Sequence, residues 1–136
     1  MALAIGNKTQ SVQTPVSPWT SITQAHNMST GADGFLLVAF CMDNSEVYTG
    51  CTYGGQAMTL IATQNFGGLT QRIAFYGLQN PPTGNNNIVV TFNAAQFTPV
   101  STFAVSFTGC GGAGNFATNG ASTTPNSKTL TVTAGS

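Results

Sequence analysis

The stretch from Gly34 to Met42 constrains the fold of this chain more than any other. It is a run of apolar residues without a charge, in a chain otherwise rich in Thr, Ser, Asn, Gln and Gly. A membrane-spanning helix needs about 20 apolar residues, so the run is too short to cross a bilayer. The turn-forming residues that flank it, including Gly31 and Asp43-Asn44, are typical of strand boundaries. The run therefore predicts a central β-strand that is covered on both faces.

Shorter alternating segments elsewhere predict further strands. They are Trp19 to His26, Val47 to Tyr53, Gln56 to Ala62, Gln71 to Leu78, Ile88 to Phe92, Thr102 to Thr108 and Lys128 to Thr133. None has the 3.6-residue apolar period of a helix. The predicted fold class is all-β, an antiparallel β-sandwich or jelly roll of about eight strands. In the segment from Thr102, the period of two predicts that Phe103, Val105 and Phe107 face the core.

Turn signals separate these segments. Gly54-Gly55 has the composition of a two-residue hairpin turn, because such turns need the positive φ that glycine adopts freely. Pro81-Pro82, followed by Gly and Asn, fixes a loop over residues 80–86. A long loop rich in Gly, Ala, Asn and Thr is predicted from Gly109 to Asn126.

The N-terminal residues are set apart by two prolines. Pro15 and Pro18 exclude a central strand, so residues 1–18 are predicted to form an arm or an edge strand. Residues 19–136 are then the β-sandwich, and the 136 residues make a single domain long enough to bury a core.

Charge is scarce along the whole chain. Charged residues make up 4% of the sequence, against about 25% in ordinary soluble domains, and the formal net charge is zero. Nucleic-acid binding and electrostatic membrane binding both depend on basic clusters, so we expect neither as a partner. Soluble monomers usually carry more charge. The composition indicates a crowded assembly or an extracellular setting.

The three cysteines do not suggest a disulfide framework. The N-terminus has no basic segment followed by a long apolar core, so we expect no secretory signal and synthesis in the cytosol. Cys41 is interpreted as a buried thiol of the central strand. A bond between Cys41 and Cys51 on neighbouring strands stays open, although a reducing compartment argues against it.

Candidate catalytic residues are few. His26 is the only histidine, and no Gly-x-Ser-x-Gly nucleophile motif is present. We expect His26 to end a strand and to hydrogen-bond locally. Asp43 and Glu46 are close enough in sequence to suggest a catalytic carboxylate pair that cleaves glycosides. Acidic residues in such a turn, however, usually only keep the turn in contact with water. The sequence predicts no catalytic residue and favours a protein that is not an enzyme.

No metal or cofactor site is predicted. Asp43, Asn44 and Glu46 do not fit a calcium loop, and the cysteine spacing fits no zinc pattern. Gly109 to Gly114 matches Gly-x-Gly-x-x-Gly, but the residues after it lack the helical period that a dinucleotide site requires. We interpret it as a surface loop that other copies of the protein order.

Several structural signatures coincide with those of a known domain. They are Trp19, Leu36-Leu37-Val38, the segment TYGGQAMT from Thr52 to Thr59, the NPPTG turn from Asn80 to Gly84, Ile88 to Thr91, and AVSFTG from Ala104 to Gly109. The set resembles a β-sandwich domain of tailed-bacteriophage structural proteins and bacterial surface proteins. Longer members continue into another apolar strand beyond the position of Val132. Without that additional strand, a sheet edge would be exposed in this chain unless a neighbour or the N-terminal arm covers it.

The resemblance implies a capsid decoration, or cement, protein on the outside of a virion. Such a protein would bind the major capsid protein, stabilise the shell and associate with itself, as a homotrimer. The segments expected to order on neighbours supply the candidate assembly contacts, which are Pro15, Pro18, Gly111, Gly112, Asn115 and Phe116.

A glycan-binding or adhesion module is the alternative function. Aromatic rings stack on sugar rings, and neighbouring amides bind the hydroxyls. The candidate stacking residues are Trp19, Tyr48, Tyr53 and Tyr76, although strand-like settings favour core packing for each of them.

Overall fold

The computed structural model describes residues 4–14, 18–29, 33–66 and 70–110. Within these ranges the chain forms strands and connections and no helix. The strands are β1 (Ala4–Gln13), β2 (Trp19–Met28), β3 (Phe35–Asp43), β4 (Tyr48–Tyr53), β5 (Gln56–Ala57), β6 (Thr59–Asn65), β7 (Gln71–Gln79), β8 (Gly84–Gln96) and β9 (Val100–Thr108).

The strands form two antiparallel sheets. A five-stranded sheet has the order β1-β9-β3-β7-β6, and a four-stranded sheet has the order β2-β8-β4-β5. The predicted all-β class is confirmed, and a sandwich of the two sheets accounts for the single core cluster to which both contribute. The described residues contain nine strands where the sequence predicted about eight, and the jelly-roll topology stays a prediction.

The apolar run forms β3, the middle strand of the five-stranded sheet, as its composition predicted. Its even-numbered residues are in the core, with Leu36, Val38 and Phe40 each 0% exposed. Leu37 and Ala39 lie on the other side of the sheet and are only half-buried. The expectation that both faces of this strand are covered is therefore wrong, because the second sheet covers one face alone.

Strand β9 presents the opposite face from the one predicted. Thr102 and Ala104 are 1% and 3% exposed, whereas Phe103 is 47% exposed. Val105 and Phe107 share the side of Phe103 and are partly exposed. The register with β3 is the reason, since cross-strand partners share a face and β3 places its even-numbered residues inward.

The predicted hairpin is confirmed. Strand β4 turns at Gly54 and Gly55, whose φ values are 55° and 79°, and pairs with β5. The strand predicted from Gln56 to Ala62 is divided at Met58. There the chain leaves the four-stranded sheet and enters the five-stranded one as β6, with the Met58 amide bonded to the Cys51 carbonyl at 2.9 Å.

The N-terminal segment contains strand β1, which lies at one edge of the five-stranded sheet. Strand β1 is ten residues long and pairs with β9 from Ala4 to Gln13. It covers the edge of β9 that would otherwise be open. The predicted strand from Lys128 to Thr133 and all but the first two residues of the loop predicted from Gly109 lie outside the described residues.

Candidate assembly surface

The side of the five-stranded sheet that faces away from the core is apolar across its centre. We call it the outer face. Its central residues come from β3, β7 and β9 and are Leu37, Ala39, Ile73, Phe75, Phe103, Val105 and Phe107. Registered neighbours form continuous rows across the sheet, such as Phe75, Ala39 and Phe103. All seven side chains remain partly exposed.

Charged side chains lie at the margin of the outer face. Lys8 is on the edge strand opposite Val105, and Asp43 is at the end of β3. A groove of about 450 Å³ lies between Lys8 and Gln10 on one side and Leu37 and Ala39 on the other. Contiguous apolar surface of this kind marks an interaction site more often than a solvated face.

The exterior of the four-stranded sheet is polar by comparison. Strand β2 exposes Ser21, Thr23 and Asn27. Hydroxyl groups also bond across this sheet, with 2.9 Å between Oγ1 of Thr49 and Oγ1 of Thr91. An antiparallel sheet with one face on the core usually has a polar second face. The four-stranded sheet follows that pattern and the five-stranded sheet does not.

The four candidate stacking residues are built into the core or against it. Tyr53 and Tyr76 are 0% and 6% exposed, which leaves no ring face open to a sugar. Trp19 and Tyr48 are partly buried and pack on that core, Trp19 edge-on to Phe92 with 5.3 Å between ring centroids. The structure does not bring the four rings together as an exposed platform.

His26 lies inside β2 and is 1% exposed, so the expectation that it ends a strand with local bonds is wrong. Its Nδ1 is 3.0 Å from Oγ1 of Thr9, on β1 of the other sheet. Its Nε2 has no partner among the described residues. Burial lowers the pKa of His26, and the ring is a neutral link between the two sheets.

Other polar groups are buried nearby. Gln24 is two residues before His26 on the same face of β2, and Thr102 and Ser106 face inward from β9. Neither the Gln24 amide nor Oγ1 of Thr102 has a partner in the described residues. We call Thr9, Gln24, His26, Thr102 and Ser106 the polar seam. The sequence pattern did not predict it, because apolar residues alternate with it along β9.

The two acids near the central strand have different settings. Asp43 accepts hydrogen bonds from the amide and Oγ of Ser45, at 2.9 and 2.6 Å, and these bonds lower its pKa. Glu46 is 6% exposed and accepts a bond from Oγ1 of Thr98 on one oxygen, and its other oxygen has no partner among the residues that the structure describes. Burial raises its pKa. Nη2 of Arg72 donates a hydrogen bond to the Asn44 carbonyl at 3.0 Å and so stabilises the turn.

Cys41 and Cys51 are free thiols. Cys41 belongs to the five-stranded sheet and is partly exposed on its outer face, so the interpretation as a buried thiol is wrong. Cys51 is buried in the four-stranded sheet beside Met58, with 3.5 Å between their sulfur atoms. Burial raises the pKa of Cys51 to about 12. Cys41 is on the side of its sheet that faces away from the sheet of Cys51. The two thiols therefore do not form a disulfide bond.

Most candidate assembly contacts fall outside the described residues. These are Pro15, Gly111, Gly112, Asn115 and Phe116, whereas Pro18 is described and exposed. The sequence pattern did not predict the outer face. Its signal was present in the alternation of Phe103, Val105 and Phe107 but was assigned to the core.

In the described ranges, no three His, Cys, Asp or Glu side chains are grouped to hold a metal ion. Those ranges also contain no helix long and apolar enough to cross a membrane. No family model matches the chain, and neither a curated protein nor a solved structure matches it.

Proposed function

We propose that this chain is a structural virion protein, a decoration or cement protein that binds the outside of a phage capsid and stabilises the shell. The observation that carries the proposal is the apolar outer face of the five-stranded sheet. The outer face lies on a folded sandwich with a separate core, so its apolar side chains are not needed to close that core. They are available to a neighbouring subunit.

The size of the outer face suits a stable protein interface. Five strands about 4.8 Å apart, each about nine residues long, cover about 700 Å². One partner in a standard protein interface buries about 800 Å². The aromatic residues Phe75 and Phe103 are of the type enriched at interface centres. Lys8 and Asp43 lie at the margin, where charges cost least on binding.

The capsid as the partner follows from the resemblance of residues 19 to 110 to phage β-sandwich domains, together with the low charge. A protein held in a shell at high local density does not need charge to stay dispersed. In this proposal the major capsid protein contributes an uncharged, apolar surface that packs on the outer face. Self-association as a homotrimer on the capsid exterior belongs to the same proposal.

Co-sedimentation with shells tests it. Capsid shells assembled from a phage major capsid protein are mixed with the purified protein and pelleted. We expect the wild type to pellet to a fixed stoichiometry and Phe103→Lys to bind about tenfold or more weakly, which is about 1.4 kcal/mol or more. Thr23→Lys adds the same charge to the exterior of the four-stranded sheet and is expected to bind normally. Wild-type protein that stays in the supernatant contradicts the capsid role.

A glycan-binding module remains the second candidate because of one polar cleft. The cleft, of about 400 Å³, lies beside the β4–β5 hairpin and is lined by Thr52, Gly54, Gly55, Asn85, Asn86, Asn87 and Val89. Amides and hydroxyls without charge suit the hydroxyls of a sugar. A glycan array that detects binding lost in Asn87→Ala supports this function, and an array without hits contradicts it.

A further inference from the structure

Strand β1 is the least anchored of the long strands. None of its ten residues is buried, whereas β2, of the same length, has four. Its larger apolar side chains point away from the core, with Ile5 60% and Val12 64% exposed. A segment with few buried apolar contacts is among the first to open in a native protein.

Hydrogen bonds hold β1 in place. A backbone ladder pairs it with β9 at eight positions from Ala4 to Gln13. Two side-chain bonds connect it to β2: Nδ2 of Asn7 donates to the Asn27 carbonyl at 2.7 Å, and Thr9 bonds His26 at 3.0 Å. The ladder follows the backbone of β1, and the two side-chain bonds depend on Asn7 and Thr9. A second copy of the chain offers an identical strand that makes every one of them.

The connection to β2 favours departure of the arm. Pro15 and Pro18 lie between the two strands, and each biases the residue before it toward an extended backbone. In the closed form the same connection must lead from an edge of one sheet to an edge of the other. A short connection between a terminal strand and the rest of the fold promotes exchange of that strand between copies. The chain has zero net charge, and Lys8 is the one charged residue of β1, so repulsion between copies is weak.

We propose that β1 is an exchanged arm: in the assembled protein it pairs with β9 of a neighbouring copy, and its Asn7 and Thr9 bond β2 of that copy. The proposal deepens the assembly function proposed above by naming a self-association site. It rests on β1 alone and not on the outer face. Exchange in one rotational direction closes a ring, and reciprocal exchange closes a dimer.

Engineered disulfides distinguish an exchanged arm from a closed one. Val12 is paired with Ser101, so Val12→Cys with Ser101→Cys links β1 to whichever β9 it occupies. Cys41 and Cys110 are replaced by Ser in this variant, and buried Cys51 is kept. After mild oxidation of the assembled protein, we expect covalent dimers or larger rings on non-reducing gels. A product that migrates as a monomer overturns the proposal, because the arm then occupies its own chain.

The control uses the same engineered cysteine. Ser101 also pairs with Cys41 on β3, so Ser101→Cys with native Cys41, and with Cys110→Ser, links two strands of one sandwich. This variant is expected to give an intrachain bond and monomer mobility. A second arm pair, Ala4→Cys with Thr108→Cys in the Cys41→Ser and Cys110→Ser background, reports on β1 if the first pair fails to fold.

The outcomes separate this inference from the proposed function. Monomeric products with normal binding to capsid shells remove the arm exchange and leave the capsid role intact. Covalent oligomers without shell binding support the arm exchange and contradict the capsid role.

Discussion

Phe103 of β9 lies opposite Ala39 of β3 on the outer face of the five-stranded sheet. The next pair, Thr102 with Phe40, lies on the other side of the sheet, where both residues are at most 1% exposed. Within two adjacent positions, then, the polar residue is buried and the aromatic one is 47% exposed. This inversion underlies both the proposed function and the first prediction.

Replacement of Phe103 is expected to affect folding little. Phe40→Ala removes a ring that is 0% exposed and should lower the free energy of unfolding by about 3–5 kcal/mol. Phe103→Ala removes a ring from the surface and should cost about 1 kcal/mol or less. Urea unfolding of the monomer measures both. Equal losses in the two variants would mean that Phe103 is a core residue.

Two Thr→Val substitutions test the polar seam. Oγ1 of Thr102 is buried and has no partner within the described ranges, so Thr102→Val should leave stability unchanged or raise it by about 1 kcal/mol. Thr9→Val makes the same change but removes the bond to His26 and leaves Nδ1 buried and unpaired. We expect a loss of about 1–3 kcal/mol. Chemical denaturation under identical conditions compares them, and a destabilising Thr102→Val would point to a partner for that hydroxyl.

His26 should make the protein less stable in mild acid. Burial lowers its pKa in the folded state below the ordinary value of 6.5, so the unfolded chain binds the proton first. The stability that the neutral ring contributes to the folded protein is complete above pH 6.5, and it decreases as pH falls below that value. His26→Gln removes this dependence, and the difference between the two unfolding free energies from pH 8 to 5 isolates it. A difference that does not change with pH contradicts the assignment.

Glu46 has the opposite dependence. Burial raises the pKa of its carboxyl above the ordinary 4.5, so the folded protein holds the proton more tightly and loses stability as pH rises through that raised pKa. Glu46→Gln keeps an acceptor for Thr98 without the buried charge. Its stability relative to wild type should therefore increase from pH 4 to 7, as measured by thermal unfolding across that range. Asp33→Asn is a matched control at an exposed acid. A Glu46→Gln advantage independent of pH would contradict the prediction.

The position of most strands could be predicted from the sequence. The apolar run predicted the middle strand β3, because a long apolar run is typical of a strand inside a sheet and not of one at its edge. Gly54 and Gly55 predicted the β4–β5 hairpin because positive φ is required at both positions. The boundary at Met58 was not predictable, because the chain changes sheets there without a Gly or Pro to mark it.

The candidate site was harder to predict than the strands. Alternation on β9 shows that Phe103, Val105 and Phe107 share one face, but it does not show which face is inward. The buried pairing of Thr9 with His26 depends on contact between strands of different sheets, about which neither segment carries a signal of its own.

The sequence by itself determined an all-β chain with a central apolar strand, a glycine hairpin and an N-terminal edge strand, because propensity and turn chemistry act locally. Only the tertiary structure decided the inward face of β9. Its register with β3 places Ser106, Ala104 and Thr102 beside Leu36, Val38 and Phe40. The inward face of β3 therefore decides which residues of β9 face inward, even though the other face of β9 is more hydrophobic. Since cross-strand partners must share a face, the core that β3 requires places the β9 aromatics on the outer face.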